Sequence, residues 1–114
     1  MAFGEFENAM VEVKMDAYME SARPPLHIRP QLDLGYRIED QSVILFEIRP
    51  HFRTEERMKI DYAKARWSKT DKHWKVYWHR ADGKWHRYEP VQSVERIEDF
   101  LQTVDDDEHV CFKG

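Results

Sequence analysis

Apolar positions recur along this chain with two different periods. From Glu5 to about Ala22 the spacing is helical, with no internal glycine or proline and a stop at Pro24-Pro25. Two stripes run along this predicted helix. Phe6, Met10, Val13 and Ala17 form one, and Val11, Met15, Tyr18 and Met19 form the other on nearly the opposite side. A sheet covers only one of them. The other is expected to lie under loops and a second helix, with a homodimer contact through this N-terminal helix as the sharper alternative.

Beyond the prolines the period becomes two. Leu32, Leu34, Tyr36 and Ile38 alternate with Asp33, Gly35 and Arg37, which predicts a half-buried strand. Asp40-Gln41 turns the chain into Ser42–Pro50, apolar on both faces through Phe46 and therefore central, with Pro50 ending its ladder. Residues 51 to 59 are polar and read as a loop, with a helical turn over Glu55–Lys59 as a variant. Ile60–Trp67 predicts a third strand, carrying Ala63, Ala65 and Trp67 on one face and Tyr62, Lys64 and Arg66 on the other. A loop over Ser68–Lys72 leads into a hairpin, His73–Tyr88, that holds three of the four tryptophans and turns at Asp82-Gly83.

A two-residue type I′ turn on Asp-Gly fixes the hairpin register. It pairs Ala81 with Lys84, Arg80 with Trp85, His79 with His86, Trp78 with Arg87 and Tyr77 with Tyr88. Trp74, Val76, Trp78 and Trp85 then form a core face, and Lys75, Tyr77, His79, His86 and Tyr88 an exposed one. Arg80 beside Trp85 and Arg87 beside Trp78 read as cation–π pairs. With Trp67 opposite Trp74, Lys64 and Arg66 join the exposed face.

Ser93 is expected to cap a second helix that buries Val94, Ile97, Phe100, Leu101 and Val104 and ends near Val104, ahead of the acidic run Asp105–Glu108. His109–Phe112 reads as a short last strand. The elements give an α+β fold: a mostly antiparallel five-stranded sheet, with that short strand as an addition, framed by an N-terminal and a C-terminal helix. With 114 residues, one domain over the whole chain is expected.

Composition narrows the functional classes. Hydrophobic and charged fractions of 41% and 35%, with 13% aromatics, describe a globular chain with an aromatic-rich core. Cys111 is the single cysteine, so no disulfide forms within the chain. With no signal-peptide pattern and no apolar run of membrane-spanning length, a cytoplasmic protein without membrane association is expected. The net charge of −4 is unevenly spread: residues 64 to 88 carry +6 and residues 89 to 114 carry −6. The middle strands are a basic island in an acidic chain, open to an anionic ligand or covered by the acidic run or the acidic first helix.

Five ordered blocks of residues then stand out. They are Phe46-Glu47-Ile48-Arg49-Pro50, Ala63-Lys64-Ala65-Arg66-Trp67, Trp78-His79-Arg80-Ala81-Asp82, Lys84-Trp85-His86-Arg87-Tyr88-Glu89-Pro90 and Cys111-Phe112-Lys113-Gly114. Together they resemble a small bacterial family catalogued as domain of unknown function number 3024. The likeness runs from about residue 30 to the C-terminus and departs at Lys113, where the family carries an aromatic. It implies a bacterial origin and a single-domain protein, and it transfers no catalytic residue.

The candidate site is therefore the surface Lys64, Arg66, Lys75, Tyr77, His79, His86 and Tyr88. The leading expectation is a non-catalytic binding module for a protein or other acidic partner. Second stands a binder of single-stranded nucleic acid on the same face, where rings stack on bases and cations track phosphates. Third is a metal-dependent, nuclease-like hydrolase around Glu47, with Arg49 and Lys64 nearby; a Glu47 ion pair to Lys64 or Arg66 is the simpler expectation. His79 and His86, opposed across the hairpin, lack a third metal ligand in the pattern, so neither a metal nor another cofactor is expected.

Overall fold

The first helix is tied down by its second stripe. In a computed structural model that describes residues 4–106, α1 (Glu5–Ala22) buries Val11, Met15 and Met19, with Tyr18 packed beside them. Met10 and Val13 stay 48% and 69% exposed, so among the described residues neither loops nor the second helix cover this part of the other stripe. The helix stops where the sequence requires it. Arg23 precedes Pro24, is therefore biased away from the α region, and sits in extended backbone at φ −65°, ψ 139°.

The strands follow as β1 (Asp33–Glu39), β2 (Ser42–Pro50), β3 (Arg57–Ser68), β4 (His73–His79) and β5 (Trp85–Arg87), each antiparallel to the one before it. After a short 3-10 turn at Glu89–Val91, β6 (Ser93–Val94) pairs with β4, and α2 (Ile97–Asp106) closes the described chain. The fold is α+β, an antiparallel meander of five strands plus a sixth. The sixth strand is Ser93–Val94, and the expected C-terminal strand over residues 109 to 112 lies outside the described residues.

Three local expectations change. Ser93 and Val94 are strand rather than helix start, since Val94 lies opposite Trp74 and packs on the core from there; α2 begins at Ile97 and runs to Asp106. The loop after β2 closes at His51–Glu55, where the Glu55 N–H donates to the His51 carbonyl at 2.9 Å, so Arg57–Lys59 are strand rather than loop or helical turn. Tyr62 is buried with Ala63 instead of facing out with Lys64. The register slips between Leu45↔Ala63 and Phe46↔Asp61, which leaves Tyr62 as the extra residue of a bulge and points it into the core.

Both helices lie on the same face of the sheet. Val43, Leu45, Ala63, Ala65, Trp74 and Val76 meet α1 and Ile97, Phe100, Leu101 and Val104 of α2 there. Ala63 and Ala65 stand opposite Trp78 and Val76, so small residues leave room for large neighbours. The helices are tied by the Tyr18 hydroxyl donating to Asp105 at 2.8 Å and by Lys14–Glu98 at 2.6 Å. No helix among the described residues is long and apolar enough to cross a membrane.

The other face has no helix over it among the described residues, yet Ile44 and Phe46 on it are only 3% and 5% exposed. Phe46 lies across Gly35, its strand partner, so closely that a Cβ on Gly35 would fall 2.7 Å from the ring. Gly35→Ala is expected to push the ring out of place and to lower stability by about 1–3 kcal/mol, read from a urea midpoint.

Candidate functional site

The hairpin turn decides which side chains share the open face. Tyr77 pairs with Arg87, Trp78 with His86 and His79 with Trp85, one residue away from the expected register. The connection is a three-residue loop, Ala81-Asp82-Gly83, between Arg80 and Lys84. The Gly83 N–H donates to Arg80 O at 2.9 Å, the Arg80 N–H donates to Lys84 O at 3.0 Å, and Gly83 takes φ +79°. This is a turn followed by a left-handed residue, for which glycine is suited, rather than a two-residue type I′ turn. Asp82 supports it by accepting the Lys84 N–H at 2.9 Å and holding the His86 ring at 2.8 Å.

A slip of one residue turns every β5 side chain over. His79 and His86 are therefore not cross-strand neighbours. His86 sits on the helix-side face opposite Trp78, and Tyr88 is 2% exposed within the core. In their place Trp85 and Arg87 come to the open face. Of the expected residues, Lys64, Arg66, Lys75, Tyr77 and His79 share this face. The aromatic–cation contacts change accordingly: Arg80 lies over Trp78 at 5.2 Å, Arg87 over Tyr77 at 5.6 Å, and Lys64 over both Tyr77 and Trp85 at 5.4 and 5.5 Å. The His79 ring meets Trp85 edge-on, with centroids 5.0 Å apart.

The electrostatics of this face are unbalanced. Its carboxylates are taken by arginines: Asp61 binds Arg37 through two contacts of 2.7 and 2.8 Å, Glu39 lies 3.3 Å from the same guanidinium, and Asp33 is held by Arg23 at 2.7 Å. Lys59, Lys64, Arg66 and Arg87 have no carboxylate within ion-pair distance among the described residues. Arg66 stands directly opposite Lys75, a like-charge cross-strand pair that costs stability, relieved only by Asp71 at 3.7 Å from Lys75. Burial first, and then Arg66, pulls the Lys64 ammonium below the ordinary lysine range. A cleft of about 360 Å³ lined by Gln41, Arg66, Lys69, Lys75 and Tyr77 opens at one end of the face.

Part of this chemistry is structural. The stems of Lys59 and Arg37 cover Phe46, with their charged heads 5.0 and 5.9 Å from the ring centre. That accounts for long side chains over a sheet without helices. It does not account for heads left without counterions. Further acidic residues lie on the opposite layer, where α1 carries Glu12, Asp16 and Glu20 and α2 carries Glu98, Asp105 and Asp106. Neither the first helix nor the described part of the acidic run covers the open face of the basic island.

The paired carboxylates make the fold acid-sensitive. Arg37 and Arg23 hold Asp61 and Asp33 below the usual carboxylate range, chiefly through hydrogen bonds. A folded-state pKa below the unfolded one contributes stability that is complete above the unfolded value of about 3.9 and is lost as pH falls through the folded value. Urea midpoints are expected to fall steadily below about pH 5, and Arg37→Gln should flatten that fall.

The remaining candidates are separated from this face. Glu47 is on the helix-side face, bound to Arg49 at 3.0 and 3.1 Å, so it meets neither Lys64 nor Arg66. Among the described residues, no three His, Cys, Asp or Glu side chains gather as metal ligands. A cleft of about 570 Å³ lies on the helix side between Met10, Val11, Trp67, Trp74 and Ile97, with a rim of mixed charge that includes the Lys14–Glu98 pair.

A family model described as Domain of unknown function (DUF3024) matches residues 3–114. No curated protein and no solved structure matches the chain.

Proposed function

We propose, for a chain that belongs to the DUF3024 family, a non-catalytic binding module that takes an extended polyanionic partner on the open sheet face. The observation that carries this reading is the like-charge pair Arg66–Lys75 beside Lys64, three cations set together with Asp71, 3.7 Å from Lys75, as their one carboxylate within ion-pair distance among the described residues. Such an arrangement costs folding energy, and an anion across the three side chains offsets it. The excess of cations on the sheet face, where Asp33, Glu39 and Asp61 are already bound by arginines, supports the same reading, since a chain of net charge −4 then presents a local positive field.

The hydrolase reading has less support. Glu47 is neutralised by Arg49 and separated by the sheet from Lys64, so the acidic and basic groups of such a site do not converge. The binding reading is tested with inorganic polyphosphate, whose charge is its only recognisable feature. Binding measured calorimetrically is expected at low salt, with log affinity falling linearly against log salt as counterions are released. Failure to bind polyphosphate at low salt would remove the proposal.

A further inference from the structure

We infer that the polyanion is a single-stranded nucleic acid, with bases on Tyr77 and Trp85 and phosphates on Lys64, Arg66, Lys75 and Arg87. The inference rests on the binding reading above and adds what charge alone does not require: rings. Two half-buried aromatic side chains sit among these cations, at diagonal positions of neighbouring strands, since Tyr77 is opposite Arg87 and Trp85 opposite His79. Lys64 spans both, with its ammonium 5.4 Å from one ring centre and 5.5 Å from the other. A partner read by charge alone has no use for that arrangement.

The rearrangement on binding is specific. In the free protein the Lys64 ammonium, partly withdrawn from water, is held by the ring faces in place of an anion. A base arriving on Trp85 or Tyr77 displaces it toward the phosphate that joins the two nucleotides, so a cation–π interaction becomes an ion pair and the ring gains a stacking partner. Tyr77 also lines the cleft between Arg66 and Lys75, which seats the next phosphate. The strand thus runs from Trp85 across Tyr77 toward the β3–β4 loop. A duplex offers nothing to these rings, because its bases are already stacked on one another. The flat sheet suits a strand whose bases are splayed out.

The test compares three fluorescein-labelled polymers of equal length by anisotropy at fixed salt: a mixed-sequence single-stranded DNA, its fully abasic counterpart and poly-glutamate. The base-bearing strand is expected to bind at least about tenfold tighter than the abasic one. Trp85→Leu and Tyr77→Leu should each shrink that ratio while leaving abasic binding in place. Equal affinity for the base-bearing and abasic strands overturns the inference and leaves polyanion binding standing. Tighter binding of poly-glutamate also overturns it and points to an acidic protein. Failure of all three polymers to bind at low salt ends both readings. The comparison between polymers uses the unaltered protein, so a variant that does not fold leaves the test intact.

Discussion

Lys64→Glu combined with Arg66→Glu is expected to abolish polyanion binding while leaving the fold at least as stable. The two positions lie on neighbouring outward sites of β3, one opposite Tyr77 and the other opposite Lys75. Each reversal removes an attraction and adds a repulsion, and like charges brought together at an interface cost several kcal/mol. Affinity should fall at least about 100-fold, and the salt slope should drop by about one for each phosphate no longer held. Stability should move the other way. A glutamate in place of Arg66 would face Lys75, turning a repulsive cross-strand pair into an attractive one, and this gain is expected to outweigh the loss at position 64 of the ammonium's contacts with Tyr77 and Trp85. A variant that melts at or above the parent temperature but no longer binds separates the role of these cations in function from their role in folding. Lost binding accompanied by unfolding would mean that they are chiefly structural.

The second large effect is on the fold itself. Phe100 is fully buried where α2 meets the sheet, in the same core cluster as Met15, Val43, Leu45 and Val104. Phe100→Ala should cost about 3–5 kcal/mol, from lost transfer energy and from a cavity the neighbours fill only in part. That is a large share of the roughly 5–15 kcal/mol that holds a domain of this size together. Urea unfolding followed by tryptophan fluorescence gives the value. A loss below about 1 kcal/mol would show that the packing of α2 contributes little.

Much of this architecture is legible in the pattern of apolar residues. The helical stripe of α1, the two-sided burial of β2, the Trp67–Trp74 pairing and the buried set Ile97, Phe100, Leu101 and Val104 all follow from periods of 3.6 and 2. What the pattern does not decide is register. Along Trp85-His86-Arg87-Tyr88 each face receives one aromatic and one basic or imidazole side chain, so a slip of one residue leaves the alternation equally plausible. The turn must then settle it, and Asp-Gly serves a three-residue loop as readily as a two-residue one when the aspartate accepts the Lys84 N–H. The signal for Trp85 and Arg87 lay in that ambiguity, with a basic and aromatic face under either register. The bulge at Tyr62 is a comparable case, since its inserted residue looks like one more step of alternation.

The candidate face is legible for a related reason. Lys64, Arg66, Lys75, Tyr77 and His79 sit on β3 and β4, whose mutual register is anchored by Trp67 against Trp74, with ring centres 5.3 Å apart, and by alanines that fit only on the helix side. Nothing comparable pins β5, which is three residues long. Where packing fixes register the surface follows from the sequence, and where only a turn fixes it the surface can invert.

The most direct measurement is an amide and indole NMR titration of the protein with polyphosphate at low salt. Shifts are expected at Lys64–Arg66, Lys75–His79 and Trp85–Arg87, with the Trp85 indole moving and the buried Trp74 indole and the amides of α1 staying in place. Shifts centred instead on the helix-side cleft near Lys14, Lys72 and Trp74, or no shifts, would contradict the assignment of binding to the open face.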